Sequence, residues 1–381
     1  MDQIDQSNQI AQIKQMVQSK TRKNRRTQER TQARTQARNQ ARTQASYQPT
    51  LNRNLVSLKS LKREPLNSCN TVKAFKLKEI LQIALPNKKC VDYNTPQAIQ
   101  TLLNRLRANK HIITEKIIPP KQIDGNCWFN TMFMMFFVSD KGRRFFHFFR
   151  QFMIEGKDSL GKPIPKKLRD AFALLNYGVE LSLKGSKYAV NMDTNSIIID
   201  IYDNVPKKIK YNKLTHEQNI PDWWDAGNPI QYYTTIMQYL DVNAVSLVEC
   251  DLKNDWLTTL SAKIQFMPKP PHIIVLNGYQ NSGIVNKTVE FAVETSLGTI
   301  KYGLDSASVL NDKNEHFSCV LTCEGEEMAF DGMSFSRIIP LKWKQNLNKN
   351  VNWGFKGSED EGVALQWNFQ TCYHQLIYYR L

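Results

Sequence analysis

The sequence lacks the long apolar runs, leader segments and cysteine pairs that mark several classes of protein. No stretch of about 18 apolar residues occurs in its 381 residues, so neither a membrane-spanning helix nor membrane insertion is expected. The first residues contain no apolar core of a secretory signal. The seven cysteines include no CxxC pair and are too sparse for a secreted disulfide scaffold. This favours a reducing, intracellular compartment, the cytoplasm or the nucleus.

Metal ligands in a recognisable spacing are also missing. Cys319 and Cys323 are four positions apart in a predicted strand, and two thiols alone do not form a closed zinc site. We therefore predict no metal and no other cofactor.

Positive charge is abundant and is concentrated at one end of the chain. The 51 Lys and Arg against 35 Asp and Glu give a net charge of +16. Residues 1–64 carry 14 of the basic and 4 of the acidic residues, a surplus of 10. Residues 30–45 read RTQARTQARNQARTQA. Arginines recur at every fourth position: Arg26, Arg30, Arg34, Arg38 and Arg42.

Residues 1–64, called the arm below, form a basic low-complexity segment without an apolar face that could dock on a core. Two interpretations stay open. The arm is a solvated tail, or it folds or threads on a polyanion or an assembly partner through the five arginines. Because it lacks the interleaved aromatic residues of base-stacking modules, any nucleic-acid binding is expected to be non-specific.

The remaining chain reads as helices first and a sheet second. Residues 65–116 are predicted to form a small helical region, with an amphipathic VKAFKLKEILQIAL and a second helix that begins with Thr95 as N-cap and Pro96 at its first position. Residues 117–381 form the main domain. Its predicted helices cover 128–138, 143–154, 166–183 and 228–240. From about residue 244 short β-branched and aromatic segments predict strands. The fold class is therefore α+β, a helical lobe followed by an antiparallel β lobe.

Cys127 lies where the turn-forming DGN meets the apolar run WFNTMFMMFFV. A helix N-terminus has free N–H groups and the positive end of the helix dipole, which favour a thiolate. Cys127 is thus a candidate nucleophile. A buried small side chain is the alternative.

Six histidines are available as a base, and His316 is the best placed because it opens the strand HFSCVLTC after a polar loop. Asp331 follows fifteen residues later, and EGEE between them predicts a hairpin. His316 and Asp331 would then meet at one end, within reach of a hydrogen bond from Nδ1–H to the carboxylate. The residues by themselves leave a structural role open for both.

The segment QIDGNCWFNTMF resembles the cysteine box of the ubiquitin-specific proteases, a papain-like family. The resemblance implies Cys127 as nucleophile, His316 as base and Asp331 as the third member of a triad. It assigns the oxyanion-holding amide to Gln122, where the family usually has Asn. Five blocks follow the family's order: 122–133, 267–279, 302–321, 328–335 and 372–380.

The resemblance implies a papain-like protease domain over residues 117–381. It would hydrolyse peptide or isopeptide bonds at the C-terminal tail of ubiquitin or a ubiquitin-like protein. DGNC also resembles the ovarian-tumour-type deubiquitinases, which the C-terminal blocks fit less well. The compact core with its arm resembles cysteine proteases of large DNA viruses, and this implies packaging in a virion. The alternative function is a virion or nucleoprotein component with an idle protease fold, anchored on nucleic acid or a capsid by the arm.

Several features depart from the family pattern. Glu315 stands where the family usually has Gly before the histidine. The zinc-bearing fingers insertion is missing. The Gln-Asp-Ala helix start that grips the ubiquitin tail has no clean match, and the predicted helix at 228–240 is its candidate counterpart.

Overall fold

The computed structural model describes residues 50–51, 69–108, 111–123, 125–205, 230, 236–237, 239–240, 247–279, 285–311, 313, 315–334 and 338–381. These residues belong to one compact unit, Pro49–Leu381. The five arginines of the arm and most of the predicted helix at 228–240 lie outside the described residues. The structure therefore leaves both predictions as they stood.

Eight α-helices fall within the described residues. They are α1 (Thr71–Phe75), α2 (Pro96–Ala108), α3 (Cys127–Phe137), α4 (Asp140–Phe145), α5 (His147–Glu155), α6 (Lys166–Lys184), α7 (Thr194–Asn204) and α8 (Trp256–Gln265). Short 3-10 turns cover Thr114–Lys116, Lys187–Asn191 and Lys344–Asn346. The helices predicted near 128–138 and 166–183 are confirmed, whereas the one predicted over 143–154 is divided at Phe146 into the end of α4 and α5. No helix in the described part of the chain has the length and apolarity needed to cross a membrane.

Fourteen strands occur in the same residues. They are β1 (Thr50–Leu51), β2 (Gln82–Ala84), β3 (Cys90–Asp92), β4 (Leu247–Asp251), β5 (Ile273–Gly278), β6 (Glu290–Thr295), β7 (Gly298–Asn311), β8 (His316–Cys323), β9 (Glu326–Phe330), β10 (Ile339–Pro340), β11 (Gly354–Phe355), β12 (Glu359–Asp360), β13 (Val363–Ala364) and β14 (Tyr373–Arg380).

Eight of these strands form the main sheet, in the order β10-β9-β8-β7-β14-β5-β4, with β6 also paired to β7. Every pairing in this sheet is antiparallel except β4 with β5. Smaller pairs join β2 with β3, β12 with β13, and β1 with β11, the last in parallel. The predicted α+β architecture, with helices before a largely antiparallel sheet, is thus what the chain forms.

The sheet has a hydrophobic core on each face. All eleven residues of α3 are buried, and its apolar side chains pack in one core with Phe317, Cys319 and Leu321 of β8. Val320 points to the other core, which contains Trp256 of α8. This alternation follows from the two-residue period of a strand. It places the N-terminus of α3 beside the sheet that carries His316.

The predicted amphipathic helix VKAFKLKEILQIAL is wrong beyond its first turn. The chain forms α1 and then the hairpin of β2 and β3. The Asn70 side chain donates to the Ile80 carbonyl at 2.6 Å and accepts from the Gln82 N–H at 2.9 Å, so it supplies local partners that compete with a longer helix. Cys69 and Cys90 form a disulfide across the same region, which their spacing did not indicate, and the other five cysteines are free.

Sequence reasoning also missed β7 and α8. Positions 302 to 309 of β7 are continuously buried, so this central strand shows no alternation of apolar and polar residues. Helix α8 buries Trp256, Leu260 and Ile264, a four-residue spacing that predicts a helix but lies among strand-like segments.

Candidate functional site

Cys127 is the first residue of α3, and Asn126 is its N-cap. The Asn126 carbonyl accepts hydrogen bonds from the N–H groups of Phe129 and Asn130, both at 3.1 Å, which close the first turn. Cys127 therefore sits at the positive end of a buried helix, as its sequence context predicts. Cys127 is only 4% exposed, so the burial expected of a small core side chain and the helix N-terminus expected of a nucleophile occur together.

A ring of buried polar side chains fixes this helix end. Asn126 Nδ2 donates to Thr194 Oγ1 at 2.8 Å, and Thr194 Oγ1 donates to Asn130 Oδ1 at 2.7 Å. Asn130 Nδ2 closes the ring by donating to Asn126 Oδ1 at 3.3 Å, and that oxygen also accepts from the Ile123 N–H at 3.1 Å. Asn126, Asn130 and Thr194 are fully buried. Because Thr194 begins α7, the ring ties the start of α7 to the start of α3.

His316 and Asp331 meet at one end of the β8–β9 hairpin. The register pairs Cys319 with Phe330, so Asp331, the residue after β9, lies at the end of the hairpin where β8 begins. His316 Nε2 donates to Asp331 Oδ1 at 2.6 Å, which confirms the predicted hairpin contact. The predicted ring nitrogen is wrong, because Nε2 rather than Nδ1 faces the carboxylate. Both residues are nearly fully buried.

The hydrogen-bonding groups around His316 favour its protonated form. Burial of the imidazole opposes protonation, but the hydrogen bonds with Asp331 and with Cys127, together with the negative charges of both partners, raise the pKa of His316 to about 10. Since Nε2 is engaged by the carboxylate, Nδ1 is the nitrogen that remains for the thiol. The three side chains therefore form a linear series: sulfur, imidazole, carboxylate.

Two residues that the sequence analysis did not identify contact this pair. Ser358 Oγ donates to Asp331 Oδ2, and Trp367 Nε1 donates to the His316 carbonyl at 3.2 Å. The Met333 N–H reaches Asp331 Oδ1 at 3.3 Å. Ser358 lies 27 positions beyond Asp331 and Trp367 lies 51 beyond His316, so no local pattern marks either.

Gln122 lies beside the turn that follows Asp331. Its N–H donates to the Gly332 carbonyl at 3.0 Å. A Cβ at position 332 would lie 3.1 Å from the Gln122 Cβ and 3.3 Å from Asn130 Nδ2, so glycine suits this close approach. The segment that leads into α3 is thereby joined to the segment that carries the carboxylate.

The remaining histidines do not join this cluster within the described residues. His111 is exposed and pairs with Glu324, His147 and His272 are half-buried, and His374 is buried in β14. His216 lies outside the described residues. No three His, Cys, Asp or Glu side chains group as metal ligands in the part of the chain that the structure describes.

No protein-family model and no curated protein matches the chain. Among solved structures, one similar chain belongs to the SAGA DUB module Ubp8/Sgf11/Sus1/Sgf73 bound to monoubiquitin. It has 9% identity and a TM-score of 0.43 over 77% of each chain. The same module bound to ubiquitin aldehyde has 10% identity and a TM-score of 0.41, over 77% of this chain and 78% of the other. A yeast SAGA DUB module with an Sgf73 mutant has 12% identity and a TM-score of 0.36, over 70% of this chain and 69% of the other. At these scores the similarities do not decide the activity.

Proposed function

We propose that this chain is a papain-like cysteine protease that cleaves a peptide or isopeptide bond at the tail of ubiquitin or a ubiquitin-like protein. The observation that carries the proposal is the series of Cys127, His316 and Asp331, in which a thiol at a helix N-terminus hydrogen bonds to an imidazole held by a buried carboxylate. Nucleophile, base and orienting acceptor in this order are the requirements of thiol-dependent acyl transfer.

In the proposed reaction, the proton of Cys127 already lies on His316 Nδ1 before substrate binds, and the Sγ thiolate attacks the carbonyl carbon. The tetrahedral intermediate collapses when the imidazolium protonates the leaving amine, which leaves a thioester. Water then attacks the thioester with His316 as base, and the carboxylate product and free thiol are released. Asp331 orients the ring through Nε2 and stabilises the imidazolium.

Electrostatics at the site supports this sequence of steps. The raised pKa of His316, due to Asp331 and Cys127 overcoming burial, keeps an imidazolium beside the sulfur at neutral pH. The backbone N–H of Cys127, at the first position of α3, points out of the helix end and can donate to an oxyanion. With Gln122 as the second donor, each such hydrogen bond is expected to contribute about 3 kcal/mol to transition-state stabilisation.

The enclosed site favours a narrow, extended substrate. Because Cys127 and His316 are each 4% exposed, the scissile bond must enter as a chain with small side chains, as a ubiquitin-like tail has. Asp193 caps α7 by accepting from the Ser196 N–H at 3.1 Å, and α7 begins beside α3. The start of α7 is therefore a second candidate, besides the predicted helix at 228–240, for the counterpart of the Gln-Asp-Ala helix start that grips the ubiquitin tail.

Labelling experiments test the proposal. A ubiquitin-tail electrophile and iodoacetamide are expected to modify Cys127 before any other thiol, and Cys127→Ala is expected to abolish labelling by both. Cys250→Ala is the matched control, because Cys250 is also buried and burial raises the pKa of its thiol. Unchanged labelling in Cys127→Ala would show that the nucleophile is wrong. No labelling of the intact protein by either reagent would favour the alternative of an idle fold in an assembly.

A further inference from the structure

The segment 353–367, called the C-terminal segment below, contacts both the base and its carboxylate. It begins and ends at the bridge between Trp353 and Trp367 and contains β11, β12 and β13. Trp367 donates to the His316 carbonyl, and its ring centroid lies 5.7 Å from that of His316. Ser358 lies between these ends and donates to Asp331 Oδ2.

The Ser358 contact completes the shell of donors around the carboxylate. Asp331 Oδ1 accepts from His316 Nε2 and from the Met333 N–H, whereas Oδ2 accepts from Ser358. Asp331 is 1% exposed and Ser358 is fully buried, so water does not compete for these groups. A carboxylate held at both oxygens cannot rotate freely about its χ2 torsion.

The backbone of Ser358 is itself held in place. Its N–H donates to the Phe355 carbonyl at 3.3 Å, and its carbonyl accepts from the Leu365 N–H at 2.9 Å. The hydroxyl is therefore presented to Asp331 from a fixed position. A side chain that is fixed by its own contacts and donates to a catalytic carboxylate has the arrangement of an orienting group.

We infer that Ser358 is a positioning residue for the reaction proposed above: its hydroxyl holds the Asp331 carboxylate so that Oδ1 stays on His316 Nε2 and Nδ1 stays on Cys127. The inference rests on the proposed function. It implies that loss of the hydroxyl loosens the imidazole without removing any group that touches substrate.

Three variants separate this role from general support of the fold. Ser358→Ala removes the donor, and Ser358→Thr keeps it. Ser334→Ala is the matched control, because Ser334 Oγ donates to the Lys356 carbonyl and so contacts the C-terminal segment without its hydroxyl contacting the carboxylate. Each variant is assayed in the full-length protein with a fluorogenic ubiquitin C-terminal substrate across pH. Thermal unfolding is measured alongside.

We expect Ser358→Ala to lower kcat by about 10-fold or more at nearly unchanged KM, since small misplacements of a catalytic group cost this much. The alkaline limb of the pH profile should move to lower pH, because the imidazolium loses a firmly held partner. Ser358→Thr should restore both quantities, and Ser334→Ala should match the parent. If Ser358→Ala folds poorly, Ser358→Cys keeps the volume with a weaker donor and should fall between Ala and Ser.

The pH dependence of iodoacetamide labelling gives the same comparison without a substrate, and Ser358→Ala should raise the pH of half-maximal labelling. Unchanged kcat and alkaline limb in Ser358→Ala, or an equal loss in Ser334→Ala, would overturn the inference. If Cys127→Ala and His316→Ala keep full hydrolysis, the proposed function itself fails. If these two abolish hydrolysis and Ser358→Ala does not alter it, the positioning role alone fails.

Discussion

The two halves of the candidate site are built differently. On the helical side, the position of Cys127 follows mainly from the local sequence. A turn at Gly125 and Asn126 starts α3, and Cys127 is the first residue of that helix. On the sheet side, His316 and Asp331 come from two strand ends, and their orientation depends on Ser358 and Trp367 from a later segment. A helix terminus positions a side chain through its own backbone, and here Thr194 adds one tertiary partner for the helix end, whereas the pair at strand ends depends on tertiary contacts for its orientation.

The largest expected effect tests whether the two halves act as one unit. His316→Ala is expected to reduce hydrolysis of a ubiquitin C-terminal substrate by about 10³-fold or more, and the double variant with Cys127→Ala should lose nothing further. Asp331→Asn should lose less than His316→Ala, because the ring remains. Replacement of the exposed His111 by Ala serves as control. Full activity in His316→Ala would separate the halves and disprove the triad.

How far the sequence predicts the site follows from the same difference. Cys127 could be identified because the DGN before it and the apolar run after it predict the start of a helix. The His316–Asp331 contact could be predicted because EGEE is a short hairpin connection. The partners Thr194, Ser358 and Trp367 could not be identified this way. They are single residues in segments 27 to 68 positions from the groups they contact, and only the folded sheet and α7 bring them close.

A second variant weakens the helical half alone. Asn126→Ala removes an acceptor for the Ile123 N–H and partners for Asn130 and Thr194. Buried groups without partners cost about 1–3 kcal/mol each, so we expect a loss of about 3 kcal/mol or more in the free energy of unfolding. Urea unfolding measures it. Asn104→Ala, at an exposed position of α2, should stay within about 0.5 kcal/mol of the parent. Equal losses of stability at the two positions would contradict a special role for the hydrogen-bonded ring of Asn126, Asn130 and Thr194.

A third experiment contrasts two histidines of the sheet half. Burial, with Lys287 nearby, lowers the pKa of His374 to about 4. The folded protein therefore resists protonation of His374 between pH 6.5 and 4, whereas the unfolded chain takes up the proton, so stability should fall across this window as pH falls. The contribution is at most about 3 kcal/mol. His316 contributes in the opposite sense: its stabilisation is complete below pH 6.5 and is lost towards pH 10.

His374→Gln should remove the acidic part of this dependence, which urea unfolding at several pH values would show. The comparison is made between the variant and the parent, because burial also raises the pKa of Asp305 to about 6, and that carboxyl stabilises the fold as pH falls through the same window. An unchanged difference between pH 6.5 and 4 would mean that His374 takes up a proton in the folded state.

A smaller effect is expected at the residue before the base. Glu315 has a φ of 50°, a left-handed conformation that costs a non-glycine residue about 1–2 kcal/mol. Glu315→Gly should therefore raise stability by up to about 1 kcal/mol after the entropy of glycine is counted. Glu324 has a φ of 49° but accepts from the buried Arg143 at 2.6 Å, so Glu324→Gly should destabilise. Thermal unfolding distinguishes the two. Destabilisation by both would show that the Glu315 side chain has a supporting role.

The smallest expected effect on the site comes from removal of the arm, whose role stays a prediction. The deletion should end at residue 48, because Thr50 and Leu51 pair with β11 and that strand leads into Ser358. Labelling of Cys127 is then expected to match the full chain. Duplex DNA binding should collapse, since residues 1–48 carry 10 Lys and Arg against 3 Asp and Glu, which is 7 of the 16 net charges. Each neutralised phosphate contributes about 0.9 to the log–log salt slope. Binding should also be nearly independent of DNA sequence. A truncated protein that binds duplex with the same slope would assign the binding to the charge of the main domain. A loss of Cys127 labelling would instead show that the arm contributes to the site.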